Sequence, residues 1–157
     1  MRLSIEKGFS FGITSGIITT LGLMVGLYSG TASKSAVLGG IITIAIADAM
    51  SDALGMHISE ESVNKNHSYV WAATISTFAT KFIFALTFVI PVWFLDLKAA
   101  IIVSILWGLF SLIFINYFIA KKRKEKPLSL ISEHVIIAIL VVVVTYFTGE
   151  WISKTFN

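Results

Sequence analysis

The sequence predicts an all-α membrane protein: one domain over residues 1–157, built from five transmembrane helices and pairing as a homodimer. Three observations carry the membrane class and the helices; the pairing rests on the glycine face of span 1 and on the motifs of spans 1 and 2. Hydrophobic residues make up 56% of the chain and charged residues 13%, where a soluble domain is nearer a quarter charged; the mean hydropathy is +0.87. Apolar runs recur at lengths of about 20 residues, enough at roughly 1.5 Å per residue to cross the hydrocarbon core. The runs are continuous, whereas barrel strands would alternate. The absence of cysteine excludes disulfides, thiolate metal sites and cysteine nucleophiles. The net charge of +3 is no nucleic-acid signature, because five of the twelve basic residues fall in the single stretch "KKRKEK".

The elements follow in order. Span 1, about 8–28, has no charge between Gly8 and Ser33. The stretch before it has charges, but its apolar run is longer than a signal-peptide core and no A-x-A site follows, so it is expected to be retained. Span 2, about 35–58, carries Asp48 and Asp52, and span 3, about 69–95, carries Lys81. Span 4 is about 99–120. Span 5, about 130–152, is centred on "VIIAILVVVV". The connections are short, and no internal repeat is present. With the N-terminus inside, Arg2, Lys7, Lys65 and the 121–126 cluster lie on the inner side, against Lys34, Lys98 and Lys154 outside. The positive-inside rule then predicts a multi-pass protein of the cell membrane, N-terminus cytoplasmic and C-terminus outside. Trp93, Trp151 and Tyr28 fall near span ends, as an aromatic belt would; Trp107 does not, and is expected inside the bundle. Glu133 is expected in the first turn of span 5, facing the positive end of the helix dipole.

Span 1 places Gly8, Gly12, Gly16, Gly22, Gly26 and Gly30 on one face at roughly 100° per residue. In lipid, close backbone approach drives packing, so this face serves ordinary helix contacts, a homodimer seam or a permeation path. Ser15 and Thr19 add polar groups to such a path.

The intramembrane charges are the sharpest signal. Asp48 and Asp52 are one turn apart, so their carboxylates point the same way. An aspartate at mid-membrane costs about 2.5–3.5 kcal/mol on insertion scales. Two on one helix call for a hydrated cavity, an ion or a counter-charge. Lys81 is the available counter-charge. Either it forms a buried ion pair that fixes helix register, or the aspartates bind a transported cation that Lys81 tunes or replaces. Met56 continues the acidic face. Carboxylate with thioether, and imidazole from His57, favours first-row ions such as iron(II) or manganese(II) over magnesium or calcium. His57, Glu60 and Glu61 share helical spacing near the inner surface, as a metal-collecting mouth or as a solvated helix end. No HExxH and no nucleophile–base spacing point to an enzyme, and no resident cofactor is expected.

The segments "FGITSGIITTLGLMVGL" and "IADAMSDALGMHIS" resemble the first two helices of the vacuolar iron transporter family. That family's second helix carries a pattern like A-x-S-M-A-x-G-E-Y-x-S, matched here by Ala49, Ser51, Ala53, Gly55 and Ser59. "TFATKFIFALTFVIPVW" and "VVVVTYFTGEWIS" resemble its third and last helices. The resemblance implies a homodimeric five-helix transporter moving iron(II), often manganese(II), out of the cytosol, in some members by proton exchange. The chain departs from the pattern at several positions. Ser15–Gly16 stands where the family has an acid and glycine, Asp52 where it has the motif methionine, Met56 where it has the motif glutamate, and Asp48 where it often has a small residue. The soluble metal-binding insertion between spans 2 and 3 is absent.

The expected function is thus divalent metal transport. Asp48, Asp52 and Met56 would ligate the ion, with His57, Glu60 and Glu61 at the mouth and Ser15, Thr19 and Lys81 along the path. The expected partners are the metal ion, the bilayer and a second copy through span 1. The alternative is a membrane scaffold whose Asp–Lys pair is structural.

Overall fold

A computed structural model describes residues 1–63 and 66–156. Lys65, counted above among the inner basic residues, lies outside them. Six helices form among the described residues: α1 (Arg2–Thr31), α2 (Lys34–Val63), α3 (His67–Thr87), α4 (Val89–Phe94), α5 (Leu97–Arg123) and α6 (Pro127–Phe156). They make five membrane-length apolar units, because α3 and α4 together form one, His67–Phe94. The fold is the five-helix bundle the sequence predicts.

The long helices overrun their apolar cores, and polar caps set the starts of α3 and α5. Asn66 Oδ1 accepts from the Ser68 N–H at the start of α3, and Asp96 Oδ2 accepts from the Ala99 N–H at the start of α5. Helix α5 ends at Lys124 in the left-handed region, with the Lys124 and Glu125 N–H groups returning to Lys121 O and Ala120 O. Pro127 then opens α6, where its missing N–H costs nothing. Glu133 therefore lies six residues past Pro127, beyond the first turn, and the dipole role expected for it does not hold.

The third span holds as one membrane-length unit, with an interruption inside it. Pro91 removes the donor that would reach Thr87 O, and its ring crowds that carbonyl. The Phe88 N–H turns back to Ala85 O at 3.2 Å, and the helix breaks there.

Long-range polar contacts fix an up-and-down order. Lys7 Nζ meets Glu60 at 3.0 Å and Lys122 Nζ meets Glu6 at 2.5 Å, tying the start of α1 to the ends of α2 and α5. At the opposite end Lys34 Nζ donates to Trp93 O and Leu95 O. The first of these is the lysine-rich end.

Helix α1 is the central element: half of its most apolar stretch is buried, against 6% for α6. Its glycines explain how. A methyl at Gly12 would lie 2.6 Å from Thr77 O, and one at Gly8 would collide with Ala73 O. Gly30 is in backbone contact with Gly149. The first three glycines seat α3, and the last three seat α6. The face that the sequence offers to a second copy is thus filled by helices of the same chain. Gly12→Val is expected to lose about 1–3 kcal/mol through overpacking, read as a lowered unfolding midpoint in detergent.

The bundle exterior is apolar along its length. Ile46, Leu54, Ile83, Leu106, Leu140 and Phe147 are all exposed, a surface that suits lipid and not water. Trp107 belongs to it. It is 40% exposed and stacks on Phe84 and Phe110, with only its indole N–H held, by Thr87 Oγ1. The expectation that it packs inside fails because its face of α5 carries the aromatic row Phe110, Phe114 and Phe118.

Candidate functional site: an acid–lysine triad below a polar cavity

Helix α2 carries Asp48 and Asp52 one turn apart, and both reach Lys81 on α3. Lys81 Nζ lies 2.5 Å from Asp48 Oδ2 and closer still to Asp52 Oδ2. It also donates to Ser15 Oγ on α1 at 2.9 Å, and Ser15 Oγ in turn donates to Asp52 Oδ2 at 2.7 Å. Gly16 makes room for this. Its bare backbone sits against the Lys81 stem, whose Cγ would be 3.2 Å from a methyl there. Three helices therefore converge on one ammonium group.

The burial is uneven. The Lys81 side chain is 2% exposed, whereas Asp48 and Asp52 keep 27% and 23%. Two carboxylates against one ammonium leave one negative charge in excess. The two acids also differ. Asp52 accepts hydrogen bonds from both Lys81 and Ser15. Asp48 Oδ2 is in ion-pair contact but out of hydrogen-bond alignment, and no other donor reaches it. A buried carboxylate oxygen without a donor is costly, so Asp48 is the under-satisfied member.

A cavity of about 630 Å³ runs from the lysine-rich end to Ser15. Helix α1 lines it with Ser10, Thr14 and Thr19, α2 with Met56 and Glu60, and α5 and α6 with Asn116 and His134. Its walls mix these hydroxyl, amide and charged groups with the apolar side chains of Phe11, Ile18, Ile119 and Leu130. At Ser15 it comes within one hydroxyl of Asp52.

Most of the predicted residues meet here. Asp48, Asp52 and Lys81 form the triad, with Ser15 bonded to two of its members; Met56 and Thr19 line the cavity, with the Thr19 hydroxyl donating back to Ser15 O at 2.9 Å. The second cluster is not assembled. His57 turns to the opposite flank of α2, with Nδ1 3.1 Å from Thr74 Oγ1 and its ring edge-on to Trp71. Glu60 turns inward to Lys7, and Glu61 is exposed. Among the described residues no three His, Asp or Glu side chains converge as a metal site. The three share a helix face on paper, but α3 draws one side chain away and Lys7 another.

The sequence reading passed over Asn116, Ser10, Thr14 and the long-range partner of Lys7. Asn116 had a visible signal. It is an amide in an apolar span, 2% exposed, with Nδ2 donating to Leu112 O.

Comparison with protein-family profiles and with curated proteins gives no match to this chain.

Proposed function

We propose that this membrane protein transports divalent transition-metal cations, iron(II) or manganese(II) first, out of the cytosol in exchange for protons. One observation carries the reading. Midway along an apolar helix two partly exposed carboxylates outnumber their counter-charge, and a cavity from the lysine-rich end reaches Ser15, which bonds one of them. The resemblance to the vacuolar iron transporter family supports the same reading.

In this scheme the Lys81 ammonium holds the cation site when no metal is present. An arriving dication replaces it, taking oxygen from Asp48, Asp52 and Ser15, with the Met56 thioether nearby as a soft ligand. Metal binds deprotonated carboxylates and leaves when they are protonated, so metal and proton compete for one site. The excess of basic residues at the cavity end makes that end cytoplasmic and the C-terminus external.

The protein would act as a homodimer. With the glycine face of α1 filled, the seam falls on α2. There Gly39, Thr43, Ala47, Ser51 and Gly55 recur at every fourth position, all exposed, with open space at both glycines. Such small-xxx-small rows let helices approach closely in lipid.

A second reading, a scaffold fixed by its buried ion pair, is favoured by the ligation of Lys81. Both acids and a serine already surround it. Proteoliposomes loaded with a metal-sensitive dye separate the two. The transporter gives manganese(II) flux above that of protein-free vesicles, faster with an opposing proton gradient. Folded protein that adds no flux under either condition leaves the scaffold.

A further inference from the structure

The same cavity has a cationic mouth that metal transport does not explain. Lys7 and Arg123 stand at it, and His134 lies on the α6 wall. Lys7 is held by Glu60, but Arg123 has no ion-pair partner among the described residues, and its neighbours Lys121, Lys122 and Lys124 are exposed. A second cavity of about 220 Å³ also borders Lys7 and Arg123, together with the paired Glu6 and Lys122, so both cations face two cavities and Arg123 is the one of them without an acidic partner among the described residues. A dication has no use for such a mouth. An anion does.

The rest of the cavity says what kind of anion. It fills the slot between α2 and α6, two helices that both pack on α1. Beyond the cations the walls include Phe11, Ile18, Ile119 and Leu130. From Lys7 to Ile18 the slot runs about 16 Å along α1, close to the half-thickness of a hydrocarbon core, about 15 Å. A free phosphate ion would leave that apolar length unused. An acyl chain would fill it while its phosphate stayed at the interface. Basic pockets between transmembrane helices on the lysine-rich side are suited to anionic headgroups.

We infer that the slot between α2 and α6 seats an anionic phospholipid from the adjoining leaflet, its phosphate on Arg123 and Lys7 and an acyl chain along Phe11 and Ile18. This inference goes beyond the transport reading and needs only the membrane placement.

The test is lipid binding to the purified full-length chain in detergent, with no metal added. Phosphatidylglycerol is titrated against phosphatidylcholine and against inorganic phosphate, with retained adducts counted by native mass spectrometry and the unfolding midpoint followed. Phosphatidylglycerol is expected to be retained and to raise the midpoint. Arg123→Gln should weaken it about fivefold, the loss of one interfacial charge contact. Leu130→Trp, which fills the slot without touching charge, should weaken it too. Lys98→Gln, at the opposite end, should not. Equal binding of the two lipids, equal effects of Arg123→Gln and Lys98→Gln, or no effect of Leu130→Trp would each overturn the proposal; inorganic phosphate matching the lipid would reassign the mouth to a soluble anion. Because nothing here is read from metal flux, the two proposals are tested separately, although a seated acyl chain and a passing cation cannot share the slot.

Discussion

Lys81→Met is expected to be the most damaging single substitution in the chain. Methionine fills a similar volume, so packing changes little. What changes is charge: Asp48 and Asp52, one turn apart, lose the ammonium between them. Breaking a buried pair by removing one partner costs about 3–5 kcal/mol, because the other charge stays behind uncompensated. Here two charges stay behind, and Ser15 also loses the donor that Lys81 supplies. Restoring neutrality should reverse most of the loss. The triple variant Lys81→Met, Asp48→Asn, Asp52→Asn carries no charge, and such replacements are often neutral or stabilising. The check is a set of unfolding midpoints in one detergent for the single, triple and intermediate variants. A single variant as stable as the parent would show that the carboxylates are already compensated by water.

How much of this was legible beforehand depends on what decides each feature. Element type is decided by local composition, and every apolar run that reads as a span forms a helical unit long and apolar enough to cross a membrane. The triad is nearly as legible. Asp48 and Asp52 share a face by helical spacing alone, and among the described residues Lys81 is the only other charge at that depth. Helix ends were less so, since Asn66, Asp96 and Pro127 act through capping and carry the helices past the apolar run. Least legible was the side of a helix that a neighbour takes. Spacing places His57, Glu60 and Glu61 together, but Thr74 and Lys7, 17 and 53 residues away, pull His57 and Glu60 apart. For the same reason the sequence left the α1 glycines open between ordinary helix packing and a seam for a second copy. Only the path of α3 and α6 shows that Gly12 and Gly30 are already in use.

Asp48→Asn and Asp52→Asn are expected to part company, and that difference separates transport from scaffolding. Asp52 is the anchored acid. It accepts from Lys81 and from Ser15, and hydrogen bonds to a charged group contribute about 1.5–3 kcal/mol each. Asp52→Asn should therefore lower stability measurably. Asp48 has ion-pair contact but no aligned donor on Oδ2. Asp48→Asn removes the excess negative charge and leaves Lys81 balanced by Asp52, so the fold should be as stable as the parent or more so. For a dication the same change is severe. At an effective dielectric near 20, one charge at about 4 Å is worth about 4 kcal/mol, so the loss of one carboxylate should cut metal affinity by at least about a hundredfold. A folded, stable Asp48→Asn protein that no longer moves manganese(II) is the expected outcome in proteoliposomes. If that variant keeps the parent's flux, or if neither protein shows any, the excess charge serves something other than a metal ion. The triad is then an assembly device whose worth is measured in stability alone.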